Sequence, residues 1–488
     1  MNFFYRTITA CVGVLVFGGA VYSPLVAQDL RYPETRMGDV VDDYHGTHVA
    51  DPYRWLETLD SDETTAWIAA QNALAEPYLD ALSTRAHFLT RLQELQEAVP
   101  PGVVRKQGPY WVTQTRRPDG NRVFFVQDDL TASKRLLLDP AALFPDEDVT
   151  IDDVRISPDG RYVLYTVSPG GTRLREARVH DLEHTRDVPD RIPGLKFNGP
   201  YWTANSRGFV YYRYLQIGED GVDRESTVFY HELGTSVTED RVLARSDPED
   251  VGATTWSQVS HDGRFVIVID DYSQKQRLAV LDLGDPLAPR FDGSLVWLSD
   301  ARDGRTRYIG HIDGTIYLHT SCDAPNYRVV AVDLDDPTRW RTVLPETEHL
   351  LQHANVRGGQ IVAAYRRDVK SVLEVYDLDG TNRREIPLPA MGSAFYFGGD
   401  PDDPTFTFAF DSYAHPYTLF RHDLRTGETV RLGASETGHD PADYVTRQVF
   451  FASKDGTRVP MFITHRADLD PDGTTPTLLY GYGAAGGV

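Results

Sequence analysis

The sequence predicts a mainly β chain: a seven-bladed β-propeller behind an N-terminal helical arm, followed by the first strands of a further domain. Three observations carry this. A strand ending in an acidic residue and a leucine recurs seven times, at Asp129-Leu130, Asp181-Leu182, Glu232-Leu233, Asp282-Leu283, Asp333-Leu334, Asp377-Leu378 and Asp423-Leu424. Successive leucines lie 52, 51, 50, 51, 44 and 46 residues apart. Ahead of the marks stand turns that open alternating strands, as in Ser157-Pro158-Asp159-Gly160-Arg161-Tyr162 and Ser260-His261-Asp262-Gly263-Arg264-Phe265. Asp-Gly between apolar alternations is a hairpin signal, and a period of about 45–50 residues with several strands per unit marks propeller blades. A two-sheet sandwich is the rival architecture, but it gives no reason for such even spacing. In this reading the leucines pack between blades and the acids cap turns.

Taken in order, residues 1–27 read as a secretory signal. Arg6 supplies the positive start, Ile8 to Tyr22 is uncharged and apolar, and Leu25-Val26-Ala27 offers a small-residue cleavage site. The alternative is an uncleaved anchor, for which the apolar run is short. Ile8-Thr9-Ala10-Cys11 resembles a lipoprotein box, but the apolar residues follow Cys11 instead of preceding it. A signal implies a secreted or periplasmic protein with no membrane contact after cleavage. Cys322 then stands alone, so the mature chain forms no internal disulfide.

Residues 28–99 form the arm. Asp51 before Pro52 has the pattern of an N-cap and first helical position, and Asp60 and Glu63 have capping-box spacing. Trp67, Ala70, Leu74 and Tyr78 share one helical face, and Phe88, Leu92, Leu95 and Val99 share a second. Both faces need a partner, found in the propeller or in another domain. The propeller occupies residues 100–440. In the last segment, 441–488, Val449 to Ile463 is a hairpin around Asp455-Gly456, and Thr477-Leu478-Leu479-Tyr480 reads as a buried strand entering a glycine turn. Three strands cannot cover themselves, so this segment opens a larger domain.

Hydrophobic content of 41% and charged content of 25% are those of an ordinary soluble protein. The formal net charge of -23 repels phosphate backbones and anionic lipid, which argues against nucleic acid as a partner.

Specific residues then carry a resemblance. Tyr32-Pro33-Glu34-Thr35-Arg36, Val41-Asp42-Asp43-Tyr44-His45-Gly46, Asp51-Pro52-Tyr53-Arg54-Trp55-Leu56-Glu57 and Ala66-Trp67-Ile68-Ala69-Ala70-Gln71-Asn72 are similar to the prolyl oligopeptidase family of serine peptidases. So are Tyr230-His231-Glu232-Leu233-Gly234-Thr235, Ser453-Lys454-Asp455-Gly456-Thr457-Arg458-Val459-Pro460-Met461 and Leu479-Tyr480-Gly481-Tyr482-Gly483. The resemblance implies a seven-bladed propeller capping an α/β-hydrolase domain, with the arm folded on that domain as its intramolecular partner. It implies cleavage of short peptides after proline, without a cofactor. Tyr482 matches the family's tyrosine that donates to the oxyanion; its other reading is a tyrosine packed at a strand end. Phe197 matches an apolar wall of the substrate pocket; its other reading is a core residue.

The departures are as informative. The family continues Gly-Tyr-Gly with Gly-Phe, whereas Ala484-Ala485-Gly486-Gly487-Val488 stands here. None of the 488 residues forms a Gly-x-Ser-x-Gly elbow, and Gly433-Ala434-Ser435-Glu436-Thr437 fails at its fifth position. The nucleophile, acid and base of the family are therefore expected to be missing from this polypeptide, leaving it inert by itself. A freestanding propeller that binds peptides or a protein partner is the second reading, and the arm's apolar faces argue against it. Gly481-Tyr482-Gly483-Ala484-Ala485-Gly486 has the spacing of a dinucleotide loop but no βαβ unit, so no cofactor is expected. His45 and His48 near Asp42, Asp43 and Asp51 have no specific ligand spacing, and no metal is expected there.

Overall fold

The computed structural model describes residues 31–481, apart from 98–101, 103, 118–119, 131, 146, 171, 173, 197–198, 218–222, 247–253, 272–275 and 300–303. The expected signal and Val99 lie outside the described residues. The chain divides into two compact units, one ending at Gln93 and one beginning at Glu94. Among the described residues no helix is long and apolar enough to cross a membrane.

The first unit opens with a hairpin of β1 (Val41–Tyr44) and β2 (Thr47–Ala50). Its two turn residues, His45 at φ 56° and Gly46 at φ 89°, are both left-handed, as a twist-matched hairpin turn requires. Asp51 and Pro52 do not start an α-helix. The chain makes only a 3-10 turn, Arg54–Glu57, whose N-cap Tyr53 offers no side-chain bond. Asp51 and Asp42 instead accept from the Arg54 guanidinium, and Asp43 accepts from the Gly46 amide at 2.6 Å. The true helix α1 (Asp62–Asp80) is capped by Ser61, whose hydroxyl accepts from the Thr64 amide at 3.1 Å. The Asp60–Glu63 box does not form. Glu63 takes Arg36 at 2.6 Å, an interaction with a residue far upstream that no local pattern could show. Trp55 and Trp67 donate their indole N–H groups to the Arg36 carbonyl and the Thr35 hydroxyl, tying the leading segment to the helical one. Ser61→Ala is expected to destabilise by about 0.5–2 kcal/mol, the usual range for a lost cap, read as a shifted urea midpoint. Trp67, Leu74 and Tyr78 on α1 are half-buried, not core. On α2 (Arg85–Glu97), Phe88 and Leu92 remain 62% and 58% exposed.

The second unit carries seven four-stranded antiparallel sheets, each contiguous in sequence. They span 104–138, 149–195, 201–245, 254–299, 306–344, 350–386 and 393–434, and are blades 1 to 7. This is the predicted repeat. Six of the acidic residues end the third strand of their blade, and Asp129 follows its third strand by two residues. The role of the marks is visible in the bonds. Asp181 accepts from the Glu183 and His184 amides, and Asp282, Asp333 and Asp423 accept likewise from amides two residues on. Each acid thus closes the turn into the fourth strand. The Leu182, Leu233 and Leu283 amides donate to the Arg161, Arg207 and Arg264 carbonyls, which closes the neighbouring hairpin. Leu283 and Leu424 are buried between blades. In the Asp159-Gly160 and Asp262-Gly263 turns only the glycine is left-handed, both at φ 77°. Asp159 and Asp262 accept from the amide two residues on and from the serine that opens each turn.

The core is a set of apolar layers between neighbouring blades. Among the described residues such layers join blades 1–2, 2–3, 3–4, 4–5, 5–6 and 6–7. Phe209, Phe265 and Phe408 are fully buried in them. Among the described residues blade 7 exchanges no strand with blade 1, because every sheet is built from consecutive strands. After the ring, strands Tyr444–Ala452 and Arg458–Arg466 pair across the Asp455-Gly456 turn. Gln448 anchors this hairpin to the 368–370 turn of blade 6, through Lys370 at 3.0 Å and the Asp368 carbonyl. The expected strand Thr477–Tyr480 is not formed, and Leu478 and Leu479 are 90% and 84% exposed. A strand needs a ladder partner, and the described residues supply none to this segment.

Candidate functional site

Where blades 1, 2 and 7 meet there is a cavity of about 600 Å³. Arg105 and Gln107 come from the first strand of blade 1, Asp152, Asp153 and Arg155 from the first strand of blade 2, and Tyr396, Asp411 and Tyr417 from blade 7 or its turns. First strands place these groups together because successive blades repeat the same local position around the ring.

The wall is charged and partly self-neutralised. Arg175 reaches Asp153 at 2.9 Å and Asp152 at 3.5 Å, and Arg122 reaches Asp152 at 3.3 Å. The Arg155 guanidinium lies over the Tyr201 ring, 3.8 Å from its centroid. Burial, with Arg155 as a like charge nearby, holds Arg105 below the usual guanidinium range. Burial also raises the Asp411 carboxyl, and burial with Tyr396 and Asp411 pushes Tyr417 up to about 12. Tyr396 itself sits at φ 53°, a left-handed backbone that costs a non-glycine residue about 1–2 kcal/mol. Such a wall offers cations, carboxylates and aromatic faces to an extended polar chain. It can bind and orient, and it presents no activated nucleophile.

Two Asp–His–Tyr constellations elsewhere in the ring are structural. In blade 2, Asp187 takes the Tyr165 hydroxyl at 2.8 Å and His180 Nδ1 at 2.9 Å. In blade 3, Asp240 takes the Tyr211 hydroxyl at 2.6 Å and His231 Nδ1 at 2.7 Å. Both tyrosines are buried, and burial followed by the aspartate bond raises both phenols. A phenol held neutral in the core is no nucleophile. The family motif residue His231 goes further, because its Nε2 also meets Asp190 at 3.0 Å. Burial alone would lower its pKa, but the two aspartates outweigh this and raise it to about 9.

The two residues singled out in the sequence, Tyr482 and Phe197, both lie outside the described residues. Their neighbours are placed. Lys196 precedes Phe197, and its carbonyl accepts from the Tyr212 hydroxyl at 2.5 Å while its ammonium lies 4.9 Å from the Tyr214 ring. The link from blade 2 to blade 3 is thereby pinned just before Phe197. The cavity residues were missed by sequence reasoning, because Arg105, Asp153 and Tyr396 carry no motif and their convergence depends on ring closure.

Comparison with known proteins agrees with this architecture. Residues 32–433 match the family model described as prolyl oligopeptidase, N-terminal beta-propeller domain. The chain is 29% identical over 490 residues to the prolyl endopeptidase of Elizabethkingia meningoseptica, covering 97% of this chain and 67% of that protein. It is 26% identical over 515 residues to prolyl oligopeptidase A of Amanita bisporigera, covering 96% and 67%. The chain thus spans about two thirds of the length of these relatives. Among solved structures it superimposes on one from a mechanistic study of two prolyl endopeptidases, with a TM-score of 0.84, 29% identity, and coverage of 93% and 67%. Prolyl oligopeptidase B of Galerina marginata, solved with a 25mer macrocyclization substrate, gives a TM-score of 0.81 at 25% identity, covering 91% and 66%. With seven consecutive blades and a family match over most of its length, the chain belongs to the prolyl oligopeptidase family, represented here by its N-terminal β-propeller domain.

Proposed function

We propose that this polypeptide is the arm and propeller portion of a secreted or periplasmic serine endopeptidase that cleaves short peptides on the carboxyl side of proline. The observation that carries the reading is the family match over residues 32–433 together with the fully formed ring. The exposed apolar face of α2 supports it as well, since Phe88 and Leu92 would gain a partner in a hydrolase-type domain. In this reading the propeller excludes long chains and guides short ones, and Tyr482 donates to the oxyanion. The serine, acid and base belong to a hydrolase-type domain, because no Gly-x-Ser-x-Gly occurs in the 488 residues. Residues 1–27 direct export in this reading.

Without a positioned nucleophile, affinity for a peptide lowers no barrier. The 488-residue polypeptide alone is expected to release no product from a chromogenic peptide with proline before the scissile bond. A chimera joining residues 31–480 to the remaining third of the Elizabethkingia enzyme is expected to cleave that peptide and to be blocked by a serine-directed inhibitor. Turnover by the 488-residue polypeptide, or a folded chimera with no preference for proline, would contradict the reading. The inert peptide-binding module is favoured instead if peptides bind the polypeptide tightly while the folded chimera is inactive.

A further inference from the structure

We propose that His261, Asp262, His311 and Asp402 form a site for a divalent transition-metal ion of the zinc class, on the face of the propeller that carries the first turn of each blade. His261 and Asp262 occupy the first turn of blade 4, His311 the first strand of blade 5, and Asp402 the first turn of blade 7. One ligand atom from each of His261, Asp262 and His311 lies within 4.8 Å of the others. His261 Nε2 is 3.1 Å from an Asp402 carboxylate oxygen, and His311 Nε2 is 3.1 Å from Asp262 Oδ2. Tetrahedral zinc with bonds near 2.0–2.2 Å sets neighbouring donors about 3.3–3.5 Å apart. Both His–Asp pairs are therefore near the spacing of two ligands on one ion; His261, Asp262 and His311 share one cluster, and Asp402 adjoins it through His261.

The donor set is two imidazole nitrogens and two carboxylates. Two neutral imidazoles with two carboxylates carry a charge that one divalent ion cancels. The supporting contacts match those that orient metal ligands. The other ring nitrogen of His311 meets the Tyr308 hydroxyl at 2.6 Å, which fixes the ring and leaves Nε2 for the ion. Asp262 Oδ1 is occupied by the Ser260 hydroxyl at 2.6 Å and the Arg264 amide at 3.0 Å, which holds the carboxylate with Oδ2 toward His311. Phe265 stands edge-on to the His311 ring at 4.9 Å and limits its rotation. An ion held here would cross-link blade 4 to blade 7, whose ligands are 141 residues apart in sequence. It would do so by first-turn residues that the repeat places at equivalent positions, and the inference does not depend on peptidase activity.

The test uses the untagged 488-residue chain, stripped with a chelator and titrated with Co²⁺ and then Zn²⁺ alone. One equivalent of Co²⁺ with the intense visible bands of a tetrahedral site is expected, displaced by one equivalent of Zn²⁺, and the unfolding temperature should rise with metal concentration. His261→Ala and Asp402→Asn, on the solvent side of the cluster, should each weaken binding at least about tenfold while the metal-free unfolding temperature stays that of the parent. Tyr308→Phe should weaken it by about 10–100-fold, the usual cost of losing an orienting partner. His45→Ala, in the arm turn that also holds His48, should bind as the parent does. Absence of stoichiometric uptake overturns the proposal. So does Co²⁺ binding that survives both His261→Ala and Asp402→Asn, or that is lost in His45→Ala.

Discussion

Replacing His231 by leucine is expected to cost about 3–5 kcal/mol of folding stability, the range for breaking a buried ion pair by removing one partner. His231 is wholly buried between Asp190 and Asp240, which are nearly so. Both ring nitrogens face carboxylate oxygens, so both must donate and the ring is an imidazolium. Leucine fills the space and leaves two carboxylates with one cation fewer. The Gly234 amide on Asp190 and the Tyr211 hydroxyl on Asp240 cannot offset a full charge. Urea unfolding of the parent and of His231→Leu measures the loss, and Asp190→Asn with Asp240→Asn in the leucine background should recover part of it. A loss below about 1 kcal/mol would show that the pairing is not what holds blade 3 to blade 2.

The same group gives the fold a pH dependence with a definite sign. The folded-state pKa, about 9, lies above the ordinary histidine value of 6.5. The contribution is therefore complete below about pH 6.5 and is lost as pH rises through about 9, because the unfolded chain gives up the proton first. Tyr211, which faces the same aspartate, has its phenol raised and so does not titrate in that window. Unfolding free energies measured between pH 6 and 10 should fall for the parent and fall less for His231→Leu.

Phe408→Ala should have an effect of similar size, about 3–5 kcal/mol, by creating a cavity. Phe408 is fully buried in the layer between blades 6 and 7, stacked on Phe420 at 5.4 Å and near Phe406 at 6.0 Å. Neighbouring aromatic rings cannot collapse into the space without moving the strand that carries them. Leu478→Ala, by contrast, removes a side chain that is 90% exposed and should leave the urea midpoint unchanged. No shared strand joins blade 7 to blade 1 among the described residues, so loss of the blade 6–7 layer should be felt where the ring closes. Hydrogen exchange of residues 104–138 in Phe408→Ala is the measurement that checks this.

The ring was legible because a blade is a local object. Hairpin turns, alternation and the acidic-Leu mark are all written within about fifty residues, and repetition made the count of seven readable from the leucines alone. The bland reading of those marks, turn caps and packed leucines, is what the bonds of Asp181, Asp282 and Leu283 show. Local reading failed where a residue's partner is distant. Glu63 has capping-box spacing yet pairs with Arg36, and Asp51 precedes a proline yet binds Arg54. The segment Thr477–Tyr480 has the composition of a strand, but composition does not supply the ladder partner that makes one. Tertiary structure alone brought Arg105 beside Arg155 and Tyr396, and His261 beside His311 and Asp402, because only ring closure sets side chains from different blades on a common axis. By itself the sequence determined the repeat, the family and the absence of a nucleophile elbow from these residues. The tertiary structure decided that His231 became a structural cation and that His261 and His311 came together beside Asp262, since burial and the placement of distant aspartates settle that and neither is written locally.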